Sequence, residues 1–257
     1  MGKQFLREEL TNTLQEGKKI FIPYMMAGDG GTHILEERLH FLKECGATAV
    51  EVGIPFSDPV ADGPTVQAAG KRSLEQGTTL MSLFDTLIDF KTDRPLPIVI
   101  MTYVNPILAI GVKTFAKACT QAGVDGVIIP DLPMEEESLI SNELQANEIA
   151  FIRLAALTSP EHRLRKIARK SEGFLYAVSV TGTTGTRTEH DPHVKTYLQQ
   201  LKSFSSVPVL AGFGISSSEQ AKILSHYCDG VVIGSKIVDL FYKGKVDEIR
   251  QLIQQSL

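Results

Sequence analysis

The chain has no tryptophan and only three cysteines in 257 residues. Cys45, Cys119 and Cys228 are odd in number and far apart, which argues against a disulfide framework and against a cysteine-based zinc site. A reducing cytoplasm is the expected setting. There is no excess of basic charge: 26 Lys plus Arg face 30 Asp plus Glu, a formal net charge of −4. That balance gives no electrostatic footprint for nucleic acid. No apolar run approaches the ~20 residues of a membrane span. The segment Met1 to Leu10 mixes charged and apolar residues without the apolar core of a signal peptide. A Walker loop and a Gly-x-Ser-x-Gly elbow are also missing. The six histidines do not cluster at strand ends, and His190 and His193 in the HDPH stretch read as solvated rather than as metal ligands. No lysine ends a strand where a Schiff base would need it.

What is present is a repeated alternation. Short apolar, β-branched runs fall at Ile20–Met25, Ala47–Val52, Pro97–Thr102, Gly126–Ile129, Ala150–Leu154, Phe174–Val178, Val207–Ala211 and Gly230–Ile233. They are continuous rather than alternating, as expected of parallel strands buried on both faces. Amphipathic stretches separate them: His33–Cys45, Thr79–Phe90, Val112–Ala122, Met134–Ala146, Pro160–Lys170, Pro192–Phe204, Ser217–Tyr227 and Ser235–Tyr242. Lys3–Gln15 and Val246–Ser256 read as added helices at the two ends. Eight β–α units with no linker or composition shift predict an α/β fold, a (β/α)8 TIM barrel with an extra N-terminal helix, over residues 1–257 as a single domain. A doubly wound open sheet is the structural rival. The count of eight favours closure.

In a barrel, function sits at the carboxyl ends of the strands. The second strand carries Glu51 in an apolar run, where burial raises a carboxyl pKa toward the range useful for proton transfer. The bland alternative is a buried glutamate paired with Arg or Lys. The loop after it, Ile54 to Pro64, is stiffened by three prolines and holds Asp58 and Asp62. Either aspartate could simply cap a turn or the helix starting near Pro64. Asp58 reads that way. Asp62 reads as the partner of Glu51 across a pocket. After the sixth strand, Ser179 to Arg187 is rich in Gly and Thr and suits a lid or a phosphate cradle. The last two strands end in Gly212-Phe213-Gly214 and in Gly234-Ser235. There backbone N–H groups and a helix N-terminus favour an anion, so the pair reads as a phosphate site.

These blocks together resemble a known family. EVGIPFSDPVADGP (Glu51–Pro64) closely resembles the signature of the tryptophan synthase alpha chain family. The likeness continues in IPYMMAGDG (Ile22–Gly30), MTYVNPI (Met101–Ile107), IIPDLP (Ile128–Pro133), TGTTGTR (Thr181–Arg187), GFGIS (Gly212–Ser216) and VIGSKIV (Val232–Val238). The sequence departs from the pattern at Met25, Met26 and Gly30. The resemblance implies a lyase that cleaves indole-3-glycerol phosphate by a retro-aldol step to indole and glyceraldehyde 3-phosphate. It implies no cofactor in this chain, with pyridoxal phosphate in a partner beta chain and an alpha2beta2 assembly.

Carried over by position, Glu51 is implied as general acid/base and Asp62 as the carboxylate that binds the indole N–H, with Tyr176 near the reacting carbons. Tyr24 and Ile128 are implied to line the indole pocket, with Asp131 supporting it. Thr184 and Gly185 are implied as lid residues. Phe213, Gly214, Gly234 and Ser235 are implied around the phosphate. Pro55, Phe56 and Asp58 are expected to meet the beta chain, on the view that a stiff loop offers an exposed aromatic there. Three alternatives stay open from the residues alone: another phosphate-binding barrel enzyme, a regulatory subunit that binds without turnover, and a free-standing lyase.

Overall fold

In the computed structural model the described residues are 2–178, 192–212 and 214–257. Eight strands form a closed barrel in chain order: β1 (Ile20–Met26), β2 (Val50–Gly53), β3 (Ile98–Met101), β4 (Gly126–Ile128), β5 (Ala150–Ala156), β6 (Leu175–Val178), β7 (Val209–Gly212) and β8 (Gly230–Ile233). Every neighbouring pair is parallel, and β8 closes on β1 with Ile20 opposite Gly230. The open-sheet alternative is thereby excluded.

The helices are α1 (Lys3–Gln15), α2 (Leu35–Cys45), α3 (Pro64–Glu75), α4 (Leu80–Asp89), α5 (Val104–Ile110), α6 (Val112–Ala122), α7 (Ser138–Ala146), α8 (Glu161–Lys170), α9 (Pro192–Phe204), α10 (Ser218–Ser225), α11 (Ser235–Tyr242) and α12 (Val246–Ser256). All eight expected strands lie where the sequence places them, with ends shifted by up to three residues. Helix α7 starts at Ser138, four residues later than expected, because Pro133 to Glu137 is taken up by turns. Helix α5 was not expected. Its seven residues are too few to show a helical period. No helix among the described residues is long and apolar enough to cross a membrane.

The two-sided burial of the strands has a direct consequence. Ile20, Ile22, Tyr24 and Met26 of β1 join Ala49, Val99, Met101, Ile128, Ile152, Tyr176, Leu210 and Val232 in the barrel interior. The alternate residues, Phe21, Val50, Val52, Ile98, Ile100, Val127 and Val231, pack outward against the helices. Helix α1 closes the amino-terminal end of the barrel with Leu6 and Leu10, both fully buried. Each contributes roughly 2 kcal/mol through the apolar area it removes from water. Gly126 and Gly173 make room for it: a Cβ on either would come within 3.3 and 2.8 Å of Leu6 Cδ2.

The same end is tied by Asp125, which is fully buried. It accepts from the Gly2 and Ile98 N–H groups, each at 2.8 Å, and pairs with Arg94 Nη2 at 3.0 Å. The amino-terminal end is therefore a stability feature, and the carboxyl-terminal mouth is left for chemistry.

Candidate active site

Glu51 lies at the second position of β2, its side chain directed into the barrel. It stands opposite Tyr24 of β1 and Val99 of β3. It is 1% exposed, and its Oε2 has no hydrogen-bond partner among the described residues. Burial pushes its carboxyl up to about 8, and the Asp62 charge adds to the shift. Among the described residues no cation acts on it, and none pairs with it as the structural alternative of a glutamate bound to Arg or Lys would require.

Asp62, in the loop after β2, is 8% exposed. Burial raises its carboxyl to about 6, against the pull of a hydrogen bond from the Tyr103 hydroxyl. It does not cap α3, whose N-cap is Gly63 with no side-chain cap bond. Its backbone is held instead, the carbonyl accepting from Gln67 Nε2 at 2.8 Å and the N–H donating to Pro59 at 3.2 Å.

Three tyrosines surround the carboxylates. Tyr24 is buried, its hydroxyl driven well above the ordinary phenol range by burial and then by Asp62 and Glu51. Its ring tip lies over Gly53, where a Cβ would stand 1.9 Å from the Tyr24 hydroxyl. Gly53 is therefore glycine because Tyr24 needs the space. Tyr176 is buried on β6, raised by burial and by Glu51. It rests against Gly212 in the same way, where a Cβ would come 2.3 Å from the ring.

Tyr103, just past β3, is the member that sequence reasoning left without a role. It is 2% exposed, and its hydroxyl accepts the Ala61 N–H at 3.0 Å. Burial and the Asp62 charge hold it above the ordinary phenol range. The available signal was an aromatic next to a strand end inside the MTYVNPI block.

Ile128 is fully buried at the end of β4 and belongs to the interior cluster. The Asp131 Oδ1 accepts the Val104 N–H at 3.0 Å, holding the start of α5. The glycine-bearing ends of β7 and β8 are neighbours, with Gly212 opposite Val232. Gly214 has φ +76°. Gly234 caps α11 and abuts Tyr24, and Ser235 is exposed at the first helical position. The first bond of α11 runs from the Val238 N–H to the Gly234 carbonyl at 3.1 Å. The N–H groups of residues 235–237 therefore lie outside the helical ladder, available to an anion. Thr184, Gly185 and Phe213 lie outside the described residues.

The expectation of an exposed aromatic on the β2 loop is corrected. Pro55 is buried and Phe56 half-buried, its ring 5.2 Å from that of Tyr103. The aromatic turns inward because burying its apolar face gains more than leaving it in water. Asp58 is exposed, and Val60 is 76% exposed. Beside this loop a cavity of about 440 Å³ runs from Ala61 past Pro130, Leu154 and Val178 to Met134 and Arg163. Its wall is mostly apolar and adjoins the residue preceding Asp62. Among the described residues, no three His, Cys, Asp or Glu side chains are grouped to hold a metal ion.

Fold and site together define the class, a (β/α)8-barrel enzyme with two buried carboxylates at its mouth. The family model for the tryptophan synthase alpha chain matches residues 10–257. A tryptophan synthase alpha chain from Oceanobacillus iheyensis is 56% identical over 257 residues, covering 100% of this chain and 98% of the relative. One from Bacillus cereus is 50% identical over 249 residues, covering 97% and 96%. Among solved structures, tryptophan synthase subunit alpha from Legionella pneumophila superposes with a TM-score of 0.88 at 30% identity, covering 100% and 97%. A structure of Mycobacterium tuberculosis tryptophan synthase gives 0.87 at 30% identity, covering 98% and 96%. The chain belongs to the tryptophan synthase alpha chain family, and it is a lyase.

Proposed function

We propose that Glu51 and Asp62 divide the cleavage of indole-3-glycerol phosphate between them. The observation that carries this reading is Glu51: a carboxyl 1% exposed, with no cation acting on it and one oxygen unpartnered among the described residues, close enough to Asp62 to feel its charge. Protonated Glu51 delivers its proton to indole C3. The ring nitrogen then carries positive charge, and anionic Asp62, accepting the indole N–H, lowers the energy of that intermediate. Ionised Glu51 next takes the proton of the glycerol hydroxyl beside the scissile bond. The carbonyl of glyceraldehyde 3-phosphate forms as the carbon–carbon bond breaks, and the electron pair returns to the ring to release indole. Tyr176 packs near the reacting carbons, and Tyr24 and Ile128 line the indole pocket.

The phosphate is held by Gly214, Gly234 and Ser235, supported by the N–H groups of the α11 first turn that lie outside the helical ladder. Thr184, Gly185 and Phe213 keep the lid and phosphate roles that the family resemblance implies. Indole passes to a beta chain in an alpha2beta2 assembly, where pyridoxal phosphate serves the beta chain. Support for the partner comes from the printed name of the Mycobacterium tuberculosis neighbour, a tryptophan synthase. On this chain the docking loop presents Asp58 and Val60 outward, with Pro55 and Phe56 stiffening it from beneath.

The test is indole release by the full chain, alone and with beta chain added. The absence of tryptophan leaves the indole signal on a quiet background. Slow turnover alone, strong activation by the beta chain, and loss in Glu51→Gln and Asp62→Asn are the expected results. Fast turnover indifferent to the beta chain identifies a free-standing lyase. Bound ligand without indole identifies a regulatory subunit.

A further inference from the structure

We propose that Gln67 is a positioning residue for the cleavage: its side-chain amide ties the Asp62 carbonyl to α3 and so aims the Asp62 carboxylate at the indole N–H. The proposal rests on the division of labour above and deepens it.

The two acids are held in different ways. Glu51 belongs to β2, whose backbone pairs with β1 on one side and β3 on the other. Ladders on both sides fix the direction of its Cα–Cβ bond. Asp62 lies in the loop between β2 and α3, outside any ladder. Its direction depends on the two peptide groups that flank it.

The preceding side is anchored through N–H groups. The Ala61 N–H donates to the Tyr103 hydroxyl at 3.0 Å, and the Asp62 N–H donates to the Pro59 carbonyl at 3.2 Å. The following side is harder to hold. Gly63 has no side chain to restrict its backbone, and Pro64 has no N–H to donate. The first backbone bond of α3 runs from the Gln67 N–H to the Gly63 carbonyl at 2.9 Å. The helical ladder therefore begins one residue too late to take the Asp62 carbonyl.

The Gln67 side chain takes it instead, its Nε2 donating at 2.8 Å. Helix side chains lean toward the helix N-terminus. A glutamine at the fourth helical position thus reaches back over the first turn to that carbonyl. With the peptide groups on both sides of Asp62 fixed, its carboxylate points one way. Aim matters because a charge lowers the barrier only where it already stands when the ring turns positive. Gln67 is exposed on α3, and its amide meets the Asp62 backbone rather than the carboxyl. Its effect on the reaction therefore passes through Asp62.

The experiment compares Gln67→Met with the unaltered chain, each with its beta chain, in kcat and KM for indole release. Methionine keeps the length and helix preference of glutamine and has no donor. The expected result is a kcat lowered about fivefold, the worth of one hydrogen bond, with KM little changed. The same replacement on the residual rate of Asp62→Asn should have no further effect, because the group it aims is gone. In the substrate-free protein, the carbon-13 carboxyl resonance of Asp62, assigned by Asp62→Asn, should move in Gln67→Met while that of Asp125 stays. A helix tie without a part in aiming lowers the melting temperature and leaves kcat unchanged, which overturns the proposal. A full fivefold loss on top of Asp62→Asn, or an unmoved Asp62 resonance, overturns it as well. An unaltered chain that releases no indole overturns the lyase reading instead, and the Asp62 resonance still decides Gln67.

Discussion

Replacing Glu51 with glutamine should make the protein more stable as it makes it inactive, and the gain should depend on pH in a defined way. The folded state holds the Glu51 proton up to about pH 8, whereas the ordinary value is 4.5. A carboxyl whose folded pKa is raised contributes stability in full below the unfolded value and loses it as pH rises toward the folded value. Each unit is about 1.4 kcal/mol. Between pH 4.5 and 8 the chain therefore forfeits about 5 kcal/mol through this one group, of which about 3 kcal/mol is gone by pH 7. Glutamine has nearly the same shape and no charge to desolvate. Urea unfolding of both proteins at pH 5, 6, 7, 8 and 9 should show a stability difference that widens by about 1.4 kcal/mol per unit up to pH 8 and then levels. Asp62 and Asp125 titrate in both proteins and largely cancel in the difference. Parallel stability curves, or a glutamine variant that weakens the protein more at high pH than at low, would refute the reasoning that Glu51 is a buried acid whose charge no cation offsets among the described residues.

Asp62→Asn should lower kcat for indole release by about 100- to 1000-fold while a substrate analogue still binds, as isothermal titration can check. Gly53→Ala should cost about 1–3 kcal/mol and depress turnover, because its Cβ would stand 1.9 Å from the Tyr24 hydroxyl; an unchanged melting temperature and rate would contradict that packing. Asp125→Ala should cost about 3–5 kcal/mol by leaving Arg94 buried without its anion, visible in urea unfolding, with indole release at 25 °C retained. Asp58→Ala and Val60→Glu should weaken beta-chain binding measured by titration and leave the slow turnover of the isolated chain in place; wild-type affinity in both would move the partner surface off the β2 loop.

Much of the architecture can be read along the chain. Eight apolar runs separated by amphipathic stretches need no partner residue to be recognised, since burial on both faces and the helical period are local properties of sequence. Glu51 is legible for the same reason, as an acid inside an apolar strand near the mouth of a barrel. The proline-stiffened loop announces Asp62, and the paired glycines after β7 and β8 announce an anion site. Helix α5 escaped because seven residues barely span two turns.

What tertiary structure alone decided are the encounters between residues distant in sequence. Tyr103 meets Ala61 across 42 residues of chain. Phe56 turns beneath the loop it was expected to decorate, Asp131 holds the start of α5, and Gly53 and Gly212 give up their side chains to Tyr24 and Tyr176. Periodicity says which face a residue buries, but not which ring or hydroxyl waits on the opposite strand. The sequence alone determined that this chain closes a barrel with two acids at its mouth. The closing of that barrel decided the surroundings of each acid, because a carboxyl's affinity for its proton depends on the solvent it loses and the donors it meets in three dimensions.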